Sequence, residues 1–280
     1  MNDVVISFVI ANFNYGRTLG RAIESVIRQS GFDRCELLVV DGGSTDNSVE
    51  VIKKYEESIA WWVSEKDKGQ SDAFNKGFSR ASGRFLTWLN ADDELVPGAL
   101  KEVLTAIEAN PQCEWFAGPT VYYDANDKIT TATVKTGSFW PQVLRVPAWM
   151  LVNGPSSFFS KNLLQRNGEV DDSLRYVMDI DLWMRFYRSG ARICVLSHYL
   201  WAFCVHDESK TSSSITTGKI NERFQVERVL IRDRNHVSPL RERVQLACKR
   251  LSCLLSLGYL RRHWFLKRYQ NLADLKRCAE

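Results

Sequence analysis

Apolar and mixed segments alternate along the first hundred residues. "VVISFVIA" (4–11), "CELLVVD" (35–41), "AWWVSE" (60–65) and "RFLTWLN" (84–90) are short, β-branched or aromatic runs with few polar interruptions. Runs of this kind predict strands buried on both faces. Between them, "RTLGRAIESVIRQS" (17–30) places Leu19, Ala22, Ile23, Val26 and Ile27 at helical spacing. "STDNSVEVIKKYEE" (44–57) opens on cap-forming residues, and "SDAFNKGFSRAS" (71–82) reads as a third helix. This alternation predicts parallel strands joined by crossover helices, a doubly wound α/β sheet. Such sheets bind ligands beyond the carboxyl ends of their strands. The polar clusters at 12–14, 41–44, 65–69 and 90–93 all fall there.

The second half is less regular. "EWFAGPTVYYDANDKITTATV" reads as a hairpin around Ala125-Asn126-Asp127, and "SSFFSKNLLQRNG" (156–168) as a strand running into a helix. "MDIDLWMRFYRSG" (178–190) is an amphipathic helix ending at Gly190, and "ARICVLSHYLWAFCVH" (191–206) holds one or two strands. Beyond about 218 the pattern is helical. The expected organisation is an α/β unit over 1–215, itself in two halves (1–110 and 111–215). A helical, basic extension over 216–280 follows.

Composition narrows the classes. Of 280 residues, 45% are hydrophobic and 25% charged, an ordinary globular balance. No apolar run approaches the roughly 20 residues that span a bilayer. The opening "MNDVVISFVIANFN" lacks a basic n-region, so no signal peptide is expected. Seven cysteines form no CxxC pair, which points to reduced thiols and a cytoplasmic location. The net charge of +4 hides an asymmetry. Arg241, Arg243, Lys249, Arg250, Arg261, Arg262, Lys267, Arg268, Lys276 and Arg277 face only Glu242, Asp274 and Glu280 in the last forty positions.

The sharpest chemical feature is "GRFLTWLNADDELVPGAL" (83–100), where a buried strand stops at Asn90-Ala91-Asp92-Asp93. Adjacent carboxylates at a strand tip repel unless a positive group lies between them. The blocks "FVIANFNYGRTLGRAIESVIRQS", "ELLVVDGGSTDNSVEVIKKY", "SEKDKGQSDAFNKGFSRASGRFLTWLNADD" and "NGEVDDSLRYVMDIDLWMRF" together resemble the family-2 inverting glycosyltransferases of GT-A fold. They resemble most the bacterial branch that builds O-antigen, capsule and exopolysaccharide. The resemblance covers roughly residues 4–210 in the family's order. It implies a Rossmann-like, mostly parallel central sheet flanked by helices.

The resemblance also implies site roles. The positive group becomes Mn²⁺ or Mg²⁺ arriving with a nucleotide diphosphate, whose oxygens a hard cation suits. Asp93 is expected as the main ligand, with Asp92 on the ribose or the metal and His206 joining them. Asn90 stands where the family's usual first acid lies, weakening a ribose contact there. Ala11, Asn12, Phe13, Asp41 and Gly42 are expected around the nucleobase and ribose. Many relatives carry Asp where this chain has Gly42, which leaves the base undetermined. Asp72 and Asn75, three apart on one helix face, are expected to reach the same ligand. Phe74 stands where many relatives have Arg near the diphosphate, so Lys210 is expected to meet phosphate charge. Asp179 aligns with the catalytic base, which takes the acceptor hydroxyl's proton during attack, while Asp181 braces its helix. Trp149, Ser156 and Ser157 are expected to line the acceptor pocket.

The reading is therefore a metal-dependent inverting glycosyltransferase. It takes a nucleotide-diphosphate sugar, UDP-linked first and GDP- or dTDP-linked as alternatives, and a glycan or lipid-linked acceptor. The rivals are a sugar nucleotidyltransferase and a catalytically silent nucleotide- or glycan-binding module. The first usually needs a basic Gly-rich loop that "ANFNYGRT" barely offers; the second would be expected to lose Asp93 or Asp179. For the basic tail, interleaved Leu and Trp favour an anionic membrane surface at the inner face over nucleic acid. Helices packed on the catalytic unit with a solvated basic face are the other reading.

Overall fold

The computed structural model describes residues 3–133, 154–206, 222–236 and 258–277, with single positions 238, 240 and 247. Its main sheet begins with β1 (Ile6–Asn12), β2 (Cys35–Asp41), β3 (Trp61–Ser64) and β4 (Phe85–Asn90). They run parallel in the order β3-β2-β1-β4. Alternate side chains of a strand face opposite ways, and both faces are covered here. Phe8, Ile10, Leu37 and Val39 pack with Leu19, Ile23 and Val26 of α1 (Gly16–Ile27). Val9, Leu38 and Val40 pack on the other side with Phe74 and Phe78 of α3 (Gln70–Arg80). That double burial explains why these strands read as continuous apolar runs. A Cβ on Gly77 would stand 2.3 Å from Val9 Cγ1, so α3 lies this close to β1 only because position 77 has no side chain. Helix α2 (Ser48–Lys54) links β2 to β3 on the α1 side.

Beyond β4 the sheet departs from a simple doubly wound pattern. The seven-stranded sheet continues through β9 (Ser157–Ser160), antiparallel to both β4 and β6 (Trp115–Ala117), to β10 (Ile193–Val195) at the edge. A second sheet holds β5 (Glu94–Leu95), β11 (Trp201–Val205), β7 (Thr120–Asp124) and β8 (Ile129–Ala132) in that order. The expected hairpin is β7–β8, turning at 125–127 as read, but β6 at its start belongs to the main sheet. Residues 191–206 form two strands, one in each sheet. The expected halves 1–110 and 111–215 interleave: β5 joins strands from the second half, and β6, β9 and β10 extend the sheet of the first. Helix α4 (Ala99–Ala109) packs Leu100 and Val103 with the α1 side.

An aromatic block sets the position of the late helices. After α5 (Lys161–Asn167) comes α6 (Met178–Arg188), whose Trp183 stacks on Trp88 of β4 at 5.2 Å and on Trp115 of β6 at 5.4 Å. Phe159 and Phe186 close the block. Aromatic side chains bury large areas and prefer such contacts, so α6 is fixed against the end of β4.

The described part of the tail is docked. In α7 (Glu222–Arg234), buried Glu227 accepts N–H bonds from Arg175 and Tyr176 at 3.0 and 2.8 Å, just ahead of α6. In α8 (Gly258–Arg268), Phe265 lies against Tyr199, with centroids 4.3 Å apart. In α9 (Leu272–Arg277), Leu272 and Leu275 are buried, and Lys276 Nζ pairs with Glu94 at 2.7 Å. Among the described residues no helix is long and apolar enough to cross a membrane.

Candidate active site

The carboxyl ends of four strands line up side by side. Strand register pairs Asn90 with Ala11, Asn12 with Asp41, and Asp41 with Ser64. Asp41 is fully buried. It accepts bonds from Asn12 Nδ2 at 2.6 Å, Ser64 Oγ at 2.6 Å, and both the backbone N–H and hydroxyl of Ser44. Burial opposes its ionisation, yet the bonds from Ser44, Ser64 and Asn12 outweigh it and hold the carboxyl below the usual range. Asp41 is thus the knot that ties β1, β2 and β3 at their tips. The turn at Gly42 rests on it, with the Gly42 N–H donating to the Asn12 carbonyl at 2.8 Å. Phe13, next in chain, is exposed by 56%.

At the tip of β4 the two adjacent acids take different positions. Asp93 is fully buried: Oδ1 accepts the Cys204 N–H at 2.9 Å and Oδ2 the Asn90 amide at 2.6 Å. Burial, and then the neighbouring Asp92, push its carboxyl well above the usual range. Asn90 is itself held by Gln70 Nε2 at 2.6 Å. Asp92 is only partly buried, and its Oδ2 meets His206 Nε2 at 2.9 Å. The structure therefore brings Asp92, Asp93 and His206 together as expected, but it is Asp92 with His206 that faces outward. Asp93 sits behind them as a buried support.

This donor set fits a divalent cation of the Mn²⁺ type. A carboxylate oxygen beside an imidazole nitrogen suits such ions. Among the described residues no group of three or more His, Cys, Asp and Glu is arranged to hold a metal alone. A cation here would draw its remaining ligands from diphosphate and water, the usual habit of diphosphate-bridging ions.

Asp179 stands in the first turn of α6. Its Oδ1 accepts the Ile180 N–H at 2.8 Å and its Oδ2 the Gly154 N–H at 3.2 Å. A Cβ on Gly154 would lie 3.5 Å from Asp179 Oδ2 and 3.7 Å from Trp88 Nε1. That fixes the carboxylate beside β4, two residues short of Asn90. Surrounding protein pushes its carboxyl up, against the pull of the Ile180 and Gly154 N–H groups. Some of its surface remains open to solvent. Asp181, on the same helix, is buried and paired with Arg185 at 2.8 Å. It braces.

Several expected positions serve the scaffold. Both ends of the Asn75 amide are taken by the Val170 backbone, at 2.8 and 3.0 Å, so it ties α3 to the segment before α6. Asp72 instead accepts the Lys68 N–H and lies near Lys76, so the two share no partner. Ser156 and Ser157 do not line an acceptor pocket. Both are fully buried; Ser156 donates to the Gly118 carbonyl, and Ser157 accepts the Trp115 indole N–H at 2.6 Å. A buried indole needs such a partner. Phe74 belongs to the aromatic block, 5.1 Å from Trp88. Trp149 and Lys210 lie outside the described residues. Two features were not anticipated: Gly154 as the clamp on Asp179, and Asp67, whose carboxylate overhangs Gly42. For Asp67 the only sequence cue was its place in the cluster at 65–69.

The chain belongs to glycosyl transferase family 2, whose model matches residues 7–160. It is 39% identical over 108 residues to an uncharacterized glycosyltransferase of Nostoc sp., covering 38% of this chain and 33% of that protein. An uncharacterized glycosyltransferase of Rickettsia typhi is 23% identical over 221 residues, covering 75% and 67% respectively. The matches thus span from a third to two-thirds of these relatives' lengths. Among solved structures, S. aureus TarS 1–349 in complex with UDP-GlcNAc has a TM-score of 0.58 at 20% identity, covering 75% of this chain and 61% of that one. The mannosyltransferase of Pyrobaculum calidifontis in complex with GDP-Man and Mn²⁺ also reaches 0.58, at 17% identity, covering 96% and 84%. The fold is GT-A, a mostly parallel central sheet flanked by helices.

Proposed function

We propose that this protein transfers a sugar from a nucleotide-diphosphate donor to an acceptor hydroxyl in one displacement, with inversion. The observation that carries the proposal is the convergence at β4. Asp92 and His206 stand at its tip, and Gly154 holds Asp179 beside Trp88 of the same strand. Asp179 accepts the acceptor hydroxyl's proton as the new bond forms. Single displacement needs one such base opposite the leaving nucleotide, and Asp181, locked to Arg185, is unavailable for the role. Asp92 and His206 would hold a divalent cation, Mn²⁺ or Mg²⁺, whose charge would offset that of the leaving diphosphate. Asp93 and Asn90 fix the loop that presents them.

The uridine- and guanosine-linked sugars bound by the TarS and Pyrobaculum proteins support a nucleotide sugar as donor here. We place the protein at the cytoplasmic face of the membrane, building a surface polysaccharide such as O-antigen on a lipid-linked acceptor. Supporting that placement, the outer face of α8 exposes Leu260 (64%) and Trp264 (61%) among Arg261, Lys267 and Arg268, with no acid in the helix. Over the rest of the chain, we read 1–215 as the catalytic unit and 216–280 as its extension.

The test is turnover of a nucleotide-sugar panel with purified glycan acceptors, with and without EDTA, reading the product's anomeric configuration by NMR. Metal-dependent transfer with inversion is expected. Retention of configuration, or full activity in EDTA, overturns the mechanism.

A further inference from the structure

Gly42 leaves a gap above the Asp41 knot, and a carboxylate fills it. A Cβ built on Gly42 would lie 2.6 Å from Asp67 Oδ2 and 3.0 Å from its carboxyl carbon. The loop bearing Asp67 presses onto the same turn, because a Cβ on Gly43 would meet the Lys66 backbone nitrogen at 3.3 Å. Asp67 Oδ1 is held in place by the Gly69 N–H at 2.8 Å. Its Oδ2 accepts no bond from any described residue. By contrast, Asp41 underneath has every donor it can use. An oriented, half-buried acceptor oxygen therefore stands at the tips of β2 and β3, where ligands of such sheets bind.

We infer that Asp67 is the residue that selects the donor's nucleobase, and that it selects a base with a ring N–H. The inference rests on the reading of the crevice as a nucleotide-sugar site. A carboxylate offers acceptors only. It pairs with the N3–H of uracil or thymine, or with the N1–H and amino group of guanine. The ring nitrogens of cytosine and adenine that lie in the same place are acceptors and repel it. An exposed aromatic such as Phe13 presents the same face to every base and cannot make this distinction. Asp67 is able to because Gly42 leaves room for it.

The test uses calorimetric binding to the full chain with Mn²⁺, comparing UDP, dTDP, GDP, CDP and ADP, with inorganic pyrophosphate as the base-free control. The native protein is expected to bind at least one of the first three about 10-fold or more tighter than CDP or ADP. Asp67→Asn keeps the bond to Gly69 but turns half of the acceptor into a donor. It should lose about 10–100-fold for the preferred nucleotide, the range for a bond to a charged group. It should gain for CDP, whose ring nitrogen and amino group match an amide. Pyrophosphate binding should not change; a merely structural residue would lower all ligands together. Gly42→Ala, by pushing the carboxylate aside, should reproduce the loss with Asp67 intact. Unchanged base preference in Asp67→Asn overturns this inference and leaves the donor site standing. A native preference for CDP or ADP does the same. If no nucleoside diphosphate binds, the donor-site reading falls first and takes this one with it.

Discussion

His206 Nε2 and Asp92 Oδ2 meet at 2.9 Å although 114 positions separate them in the chain. The contact joins the end of β11 to the tip of β4, and Tyr15 lies against the imidazole at 6.0 Å. If this pair holds the cation, Asp92→Ala and His206→Ala should each abolish the stabilisation that Mn²⁺ adds to nucleotide binding. A thermal-shift comparison checks this: both variants should bind nucleotide equally with Mn²⁺ and with EDTA. Persisting Mn²⁺ dependence in both would move the metal elsewhere.

Asp93 makes a separate prediction because it is buried and bonded at both oxygens. Asp93→Ala should strand the Cys204 N–H and the Asn90 amide, costing about 1–3 kcal/mol for each buried group left unpaired. Chemical denaturation should therefore report lower stability, whereas Asp92→Ala, partly exposed, should lose far less. Equal losses would mean that the two acids are not divided between support and surface.

How much of this was legible beforehand depends on how far apart the partners lie. The buried strands showed in local runs, since double burial leaves no polar face, and the polar strand ends followed directly. Asn75 and Ser157 misled because their partners, Val170 and Trp115, lie 95 and 42 positions away. A hydroxyl or amide looks the same in sequence whether it faces a ligand or a buried indole. The two-residue strand β5 is too short for any periodicity, so the edge of the second sheet that it forms is not readable. Gly42 stands out in the sequence for the side chain it lacks; only the fold shows Asp67 above it.

Asp179 ties activity to pH with a definite sign. It must be ionised to accept a proton, and its surroundings push its carboxyl above the ordinary 3.8. Turnover should rise with pH through that raised value and then level off. Asp179→Asn keeps the shape and should lower turnover by about 10²-fold or more, with nucleotide affinity nearly unchanged. The linkage runs opposite to activity. The folded state holds the Asp179 proton more tightly than the unfolded chain, so this group's contribution to stability falls as pH rises from 3.8 through the raised value. The Asn variant escapes this penalty but turns its NH2 toward one of the two N–H donors, so its melting temperature should lose the fall with rising pH that Asp179 gives the native protein. A lower melting temperature with normal turnover would show Asp179 to be a structural acid.

The tail prediction follows from the two faces of α8. Phe265 points inward onto Tyr199, while Leu260 and Trp264 lie one turn apart on the outside, flanked by Arg261, Lys267 and Arg268. An interfacial helix needs this division, with apolar side chains entering the acyl boundary and cations near anionic headgroups. Each basic residue near such a surface contributes about 1 kcal/mol, so Arg261, Lys267 and Arg268 together give reversible binding rather than insertion. Replacing these three with Gln should abolish flotation on vesicles rich in phosphatidylglycerol. Leu260→Ala with Trp264→Ala should weaken it while leaving Phe265, and hence the fold, in place. Turnover on a short soluble acceptor should stay native in both variants, because neither face of α8 reaches Asp92 or Asp179 in any described contact. Flotation that ignores anionic lipid content, or survives both changes, would leave α8 as a docked helix with a solvated basic face.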